Sequence, residues 1–178
     1  MLLQRLALPF TCHAPETDES AGLDEAPADL VSRLASQKAT AVAKKYPAAI
    51  VIGSDQLAVF DGRIVGKPGG HEAALQQLSS FSGHSIDFLT AVTVICRETA
   101  FSEQHTDCTR VSFRALQREE IERYLLQEEP YDCAGAFKAE SLGIALFEKI
   151  ISEDPTALTG LPLIRTAAML RKAGLSVP

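Results

Sequence analysis

Apolar residues recur along this chain at two periods, and the longest helical run is 28–45. There Leu30, Val31, Leu34, Ala35 and Val42 fall on one helix face with no internal Gly or Pro, after an approach from Asp24 to Pro27. Shorter copies of the pattern predict helices over 71–80 (Ala74, Leu75, Leu78) and 117–127 (Ile121, Tyr124, Leu125), the second ended by Pro130. A closing helix is expected over 161–172, with Leu163, Ile164, Ala167, Met169 and Leu170 turned inward and Pro162 in the first turn. Residues 1–7 already carry Leu2, Leu3 and Leu6 at helical spacing without a cap, so they read as the tail of a helix that begins before Met1 and ends at Pro9.

The other pattern is that of strands. Ile50, Val51 and Ile52 form a short β-branched run suited to a strand buried on both faces, and Gly53-Ser54 is expected to break it. Asp61-Gly62 is a two-residue hairpin signal that folds 56–60 back on 63–65 and delivers Gly66-Lys67-Pro68 near Asp55. Residues 86–96 and 99–113 read as a long antiparallel ribbon, which favours a second lobe. Short strands are expected over 10–14 and 144–147. Between them, Ala134, Gly135 and Ala136 let backbone approach something closely. No repeat or low-complexity tract interrupts the chain.

Composition narrows the class. A chain of 178 residues, 46% hydrophobic and 22% charged, can bury a core without staples, as one domain or a two-lobed one. The formal charge of −6 argues against nucleic acid as a partner, because a phosphate backbone rewards a basic face. Cys12, Cys96, Cys108 and Cys133 lack C-x-x-C spacing and read as free thiols of the core in a reducing cytoplasm. No run of about 18 apolar residues spans a bilayer, and no signal peptide is visible, so no membrane partner is expected.

Several motifs invite chemistry. Gly62-Arg-Ile-Val-Gly66-Lys67-Pro68 is not a P-loop: it has three residues between the glycines and Pro68 where a metal-binding hydroxyl is required. Ser54 is not a nucleophile elbow, since the second Gly is missing and no His is placed to serve it. An Asp at the mouth of a buried strand can take a proton from water or hold a metal, and a Lys can meet developing phosphate charge. From spacing alone, a turn-capping Asp55 and a surface Lys67 describe the pair equally well. Glu16, Asp18 and Glu19 suit either a solvated loop or a divalent cation. Arg33, Lys38 and Lys44 read as solubilising charge on their helix, and His71 and His84 as loop histidines.

The blocks VIGSDQ, IVGKP, CAGAF-KAE, LGIALF and TGLPL, in that order and with compatible gaps, resemble the Maf family of nucleotide pyrophosphatases over residues 1 to about 174. The resemblance implies an α/β, ITPase-like fold: a mixed twisted sheet with flanking helices, in two lobes around a central nucleotide cleft, as a single domain over 1–178. It implies hydrolysis of a nucleoside triphosphate to the monophosphate and pyrophosphate with Mg²⁺ or Mn²⁺, and a possible homodimer. Asp55 matches the family's proposed general base. Lys67 matches a second catalytic position, Lys38 and Lys138 polar positions for substrate, and Glu19 with Asp55 the metal site. Gln56 and Glu140, in GSDQ and FKAES, match the subgroup that prefers 7-methyl-GTP; a carboxylate there can accept from guanine N1 and N2 and offset the methylated ring's charge. Family members begin with a strand and a Ser-rich, Arg-containing phosphate loop that is not found after Met1. The alternative expectation is therefore a catalytically impaired nucleotide-binding or cell-division-linked regulatory protein of the same fold.

Overall fold

A computed structural model describes residues 2–178; Met1, which the pattern joins to the first helical turns, lies outside the described residues. Four α-helices lie where apolar spacing predicts them: α1 (Pro27–Lys45), α2 (His71–Phe81), α3 (Arg118–Glu128) and α4 (Leu163–Lys172). Pro27 opens α1, where its missing N–H leaves no bond unmade, and Lys44 and Lys45 sit at the negative end of the helix dipole. Glu120 reaches back to accept from the Gln117 amide at 2.9 Å and fixes the start of α3. Leu2–Leu6 is a 3₁₀ helix rather than an α-helical tail. Residues 10–14 form no strand; prolines at 9 and 15 remove the amides a ladder would use at either end.

Five strands, β1 (Val51–Phe60), β2 (Arg63–Val65), β3 (Ser85–Cys96), β4 (Phe101–Phe113) and β5 (Phe147–Ile151), make one sheet in the order β2-β1-β3-β4-β5. The expected hairpin is present: β1 and β2 are antiparallel with Ala58 opposite Val65, joined by a turn with Asp61 at φ 53° and Gly62 at φ 74°. β4 and β5 are antiparallel with Arg110 opposite Ile151 and a register shift at Ser112 and Phe113. Two expectations are corrected. Gly53 and Ser54 do not break β1, which runs through them in extended form. Nor are residues 144–146 a strand: Leu142–Leu146 is a 3₁₀ helix and β5 starts at Phe147. A Cβ at Gly143 would collide with the Lys138 carbonyl, so the chain turns compactly there.

The chain divides into two compact units, one of Met1–Gln56, Leu89–Asp107 and Glu153–Pro178, the other of Leu57–Phe88 and Cys108–Ser152. In the first, the two-residue period of β1 sorts its side chains. Ile50 and Ile52 pack with Val92, Val94 and the α4 residues Ala167, Met169 and Leu170, while Val51 packs against Ala39 and Ala43 of α1. The run is therefore packed on both sides, with Val51 buried and Ile50 and Ile52 half-buried. The second unit is built on aromatic rings. Phe60, Phe81, Phe88, Phe113, Phe137 and Phe147 meet with centroids 4.8–5.7 Å apart, mostly edge to face, and α2 packs on α3.

Gly53 controls how near α1 comes to the sheet. A Cβ there would stand 2.5 Å from both the Ala35 carbonyl oxygen and the Ala39 nitrogen, which are helix backbone and cannot rotate away. We predict that Gly53→Ala destabilises the protein by about 1–3 kcal/mol through overpacking. Urea denaturation measures this, and an unchanged midpoint would mean that the helix yields without cost.

Candidate active site

Asp55 follows Gly53 by two residues and so leaves β1 on the α1 face. There the Lys38 ammonium donates to Asp55 Oδ1 at 2.6 Å and contacts Glu19 Oε1 at 2.7 Å. The Asp55 side chain is 12% exposed, Lys38 23% and Glu19 60%, so the triad runs from a nearly buried acid to an open one. Burial by itself pulls the Lys38 pKa down, but its hydrogen bonds to Asp55 and Glu19 outweigh that and hold it above the ordinary lysine value. One ammonium thus keeps two carboxylates together. The helix-face reading of Lys38 as solubilising charge is corrected here, because its ammonium is engaged by two carboxylates.

Arg33 is likewise no mere solubiliser. Its Nε donates to Glu25 Oε1 at 2.7 Å and its Nη2 to Glu25 Oε2 at 2.8 Å and to the Ser20 carbonyl at 2.9 Å. Glu25 also accepts from the Gly22 amide at 2.9 Å. This bidentate pair folds the 18–25 loop onto the start of α1 and so places Glu19 beside Lys38. The hydrogen bonds from Arg33, then that from Gly22, lower the Glu25 pKa to about 2.

The opposite face of β1 carries Ser54 and Gln56, and both fasten to the turn before α4. Ser54 Oγ lies 2.7 Å from the Ala91 carbonyl and 2.9 Å from that of Gly160, so its proton is committed to backbone. Gln56 Nε2 lies 2.8 Å from Thr90 Oγ1, 3.0 Å from the Ala157 carbonyl and 3.1 Å from that of Leu158. Buried Asp154 holds the turn itself, accepting from the Thr156 amide and hydroxyl and from the Ile164 amide at 2.6 Å. None of these contacts is visible in a linear motif, though Asp-Pro-Thr before a helix is a turn-and-cap signal. A cavity of about 650 Å³ in the same unit reaches Ser54 and Gly160 between Phe10, Tyr46, Ile50 and Ile52; its walls are mainly apolar and include neither Asp55 nor Lys38.

Lys67, Lys138 and Glu140 belong to the second unit. Lys67 is exposed on the 66–70 stretch, which is tied down by the Gln77 side-chain amide donating to the Gly66 carbonyl at 3.1 Å and by the Gly69 amide donating to the Tyr131 carbonyl at 3.0 Å. His71, expected as a bland loop residue, opens α2 and lies with its Nδ1 3.1 Å from the Tyr131 hydroxyl. The Lys138 ammonium donates to the Glu128 carbonyl at 2.9 Å, and its amide to the Tyr124 hydroxyl at 3.1 Å. Glu128 Oε2 accepts from the Leu142 amide at 3.0 Å, so both ends of the segment bearing exposed Glu140 are pinned to α3. The Ser141 side chain is the chief cause that lowers the Glu128 pKa, and burial raises that of Tyr124. The cysteines are free thiols, but Cys12 and Cys108 are exposed, so the expectation of core cysteines fails for those two.

Among the described residues no group of three or more His, Cys, Asp or Glu side chains gathers as a metal cage. The Asp55 and Glu19 carboxylates, both engaged by Lys38 here, are nevertheless oxygen donors of the kind Mg²⁺ takes together with phosphate oxygens and water. No helix among the described residues is long and apolar enough to cross a membrane.

Two carboxylates and a lysine meet at β1 of an α/β sheet, with α1 on one face of that strand and α4 on the other, and such groups suit phosphate chemistry. The chain belongs to the Maf-like protein family, whose model matches residues 1–173. It is 51% identical over 176 residues to the 7-methyl-GTP pyrophosphatase of Albidiferax ferrireducens, covering 99% of this chain and 88% of the relative. The 7-methyl-GTP pyrophosphatase of Pseudomonas savastanoi pv. phaseolicola is 52% identical over 179 residues (99% and 92% covered), and that of Vibrio parahaemolyticus 49% over 176 (99% and 91%).

The Glu25–Arg33 pair gives a pH signature with a fixed sign. A carboxyl whose pKa is lowered on folding contributes stability that is present above its ordinary value of 4.5 and lost as pH falls towards about 2. Glu25→Gln should therefore lower the melting temperature at pH 7, and the gap to the unaltered protein should close between pH 4.5 and 2. A gap independent of pH would show that the carboxylate's charge is not what holds the loop.

Proposed function

We propose that this chain is a nucleotide pyrophosphatase that hydrolyses 7-methyl-GTP, or a related modified nucleoside triphosphate, to the monophosphate and pyrophosphate. The observation that carries the reading is the Lys38 ammonium clasping Asp55 and Glu19, in a chain half identical to proteins named for that reaction. Asp55 is nearly buried and fixed by a short charge-assisted hydrogen bond, which suits a base that must be aimed before it takes a proton. In the proposed step a water oxygen attacks the α-phosphorus, Asp55 receives the proton, and the bond to the β-phosphate oxygen breaks as pyrophosphate leaves. Asp55 and Glu19 would hold a divalent cation, Mg²⁺ or Mn²⁺, which when bound neutralises and polarises the triphosphate oxygens. Lys38 stays charged throughout the neutral range and keeps the two carboxylates from repelling each other.

The roles of Lys67 on departing phosphate charge and of Lys138, Glu140 and Gln56 in substrate recognition rest on the family resemblance. Pinning of the 138–142 segment by Glu128 and Tyr124 supports a recognition role, because a side chain that selects a base must be held still. Residues 1–178 are read as one Maf-like domain, and a homodimer and a cytoplasmic address belong to the same reading.

The purified protein with Mg²⁺ or Mn²⁺ should release pyrophosphate from 7-methyl-GTP in preference to UTP. Asp55→Asn should lower kcat by roughly 10²–10⁴-fold, the usual contribution of a positioned base. Brisk hydrolysis of UTP with none of 7-methyl-GTP would overturn the substrate, and an Asp55→Asn variant of undiminished kcat would overturn the base. Binding of 7-methyl-GTP without turnover would favour the regulatory alternative.

A further inference from the structure

Glu128 is the last residue of α3, and the chain from Lys138 to Leu142 is folded around it. The helix stops because Glu129 takes a left-handed backbone conformation (φ 46°) ahead of Pro130, which leaves the Glu128 carbonyl without a helical donor. The Lys138 ammonium supplies one at 2.9 Å, placing its charge at the negative end of the helix dipole, and lies 3.5 Å from the carboxylate of the same residue. That carboxylate also accepts from the Leu142 amide at 3.0 Å and from the Ser141 side chain. One glutamate therefore holds a residue on each side of Glu140.

Lys138 is engaged by the protein at every polar atom. Besides its ammonium, its amide donates to the hydroxyl of buried Tyr124 at 3.1 Å, and its carbonyl accepts from the Ser141 amide at 3.4 Å. A Cβ at Gly143 would collide with that same carbonyl, so the turn admits no looser shape. Glu140, between these fixed points, is exposed. The Ser141 hydrogen bond, with those of the Leu142 amide and Lys138, outweighs burial and holds the Glu128 carboxyl below its ordinary pKa, so the clamp is charged at neutral pH. We infer that Glu128 is a positioning residue: it holds the 138–142 turn so that Glu140 keeps one place against the base, and Lys138 serves by gripping Glu128 rather than by touching substrate. This proposal rests on the pyrophosphatase reading, in which Glu140 meets the base, and adds to it the residues that keep Glu140 in place.

The test measures kcat and KM for 7-methyl-GTP and UTP in the unaltered protein, in Glu128→Ala, in Lys138→Met, which keeps the aliphatic stem, and in the double variant. Loss of the clamp should raise KM for 7-methyl-GTP by roughly 10–100-fold, the scale on which a displaced contact acts. The kcat should stay nearly unchanged, because a base contact binds ground state and transition state alike. KM for UTP should rise less, so the preference between the two substrates narrows. Because Lys138 acts through Glu128, the double variant should be no worse than the more affected single one. Effects on KM that multiply in the double variant overturn the shared clamp and give Lys138 a substrate contact of its own. Unchanged constants in both single variants, or a loss that falls on kcat, overturn the positioning role while leaving pyrophosphate release intact; no release by the unaltered protein overturns the pyrophosphatase reading and this role with it. Should the variants not fold, hydrogen exchange of the Leu142 amide in the unaltered protein decides: it should be slow, and exchange at the rate of an open loop refutes the clamp.

Discussion

The approach of α1 to β1 at Gly53 is the constraint on which the acidic site depends. Lys38 follows Ala35 by three residues on α1, and Asp55 follows Gly53 by two on β1, so the spacing that brings Gly53 under Ala35 and Ala39 also brings the ammonium to the carboxylate at 2.6 Å. A β-carbon at Gly53 would push apart the two backbones that set this distance. Hydrophobic burial supplies the force, through Val51, Ala39 and Ala43, but it acts without direction and would accept a wider gap. The missing side chain makes the gap narrow.

The two faces of β1 divide the work. Asp55 faces the charged partners, while Ser54 and Gln56 are spent on carbonyls of Ala91, Ala157, Leu158 and Gly160. These bonds fix the strand about its own axis, and buried Asp154 fixes the turn they reach. A base aimed at one water needs such a mount, because loss of aim costs rate as surely as loss of the group. Arg33 does for Glu19 what the turn does for Asp55: it converts an acidic loop, otherwise solvated, into an element with one position.

In the second unit the same economy appears with different parts. A cluster of phenylalanine rings provides the rigid body, and polar side chains at its margin pin the two segments that carry Lys67 and Glu140. Glu128 closes the 138–142 segment from both ends, and Tyr131 joins the 66–70 stretch to His71. The exposed charges are thus borne on backbone that is held by neighbours far from them in sequence.

The helices, the Asp61-Gly62 hairpin and the long ribbon were legible in the residues, because periodicity and turn chemistry act over a few positions, whereas Asp55, expected at a strand mouth, stands inside β1. The resemblance drew attention to Lys38, which local reasoning alone left as surface charge, and to Glu19, which it left between a solvated loop and a cation ligand. Gly53 illustrates the limit: as a local signal it predicts a break, and only the helix lying over it shows a close contact within an unbroken strand. Arg33 and Thr90 carried no signal of their roles, since Glu25 and Ala157 lie 8 and 67 residues away along the chain. Sequence by itself determined which elements form and which chemical groups they carry, through short-range sterics and apolar spacing. Tertiary structure alone decided which groups meet and which way each amide and hydroxyl points, because hydrogen bonds are directional and their partners are assigned only when distant segments pack.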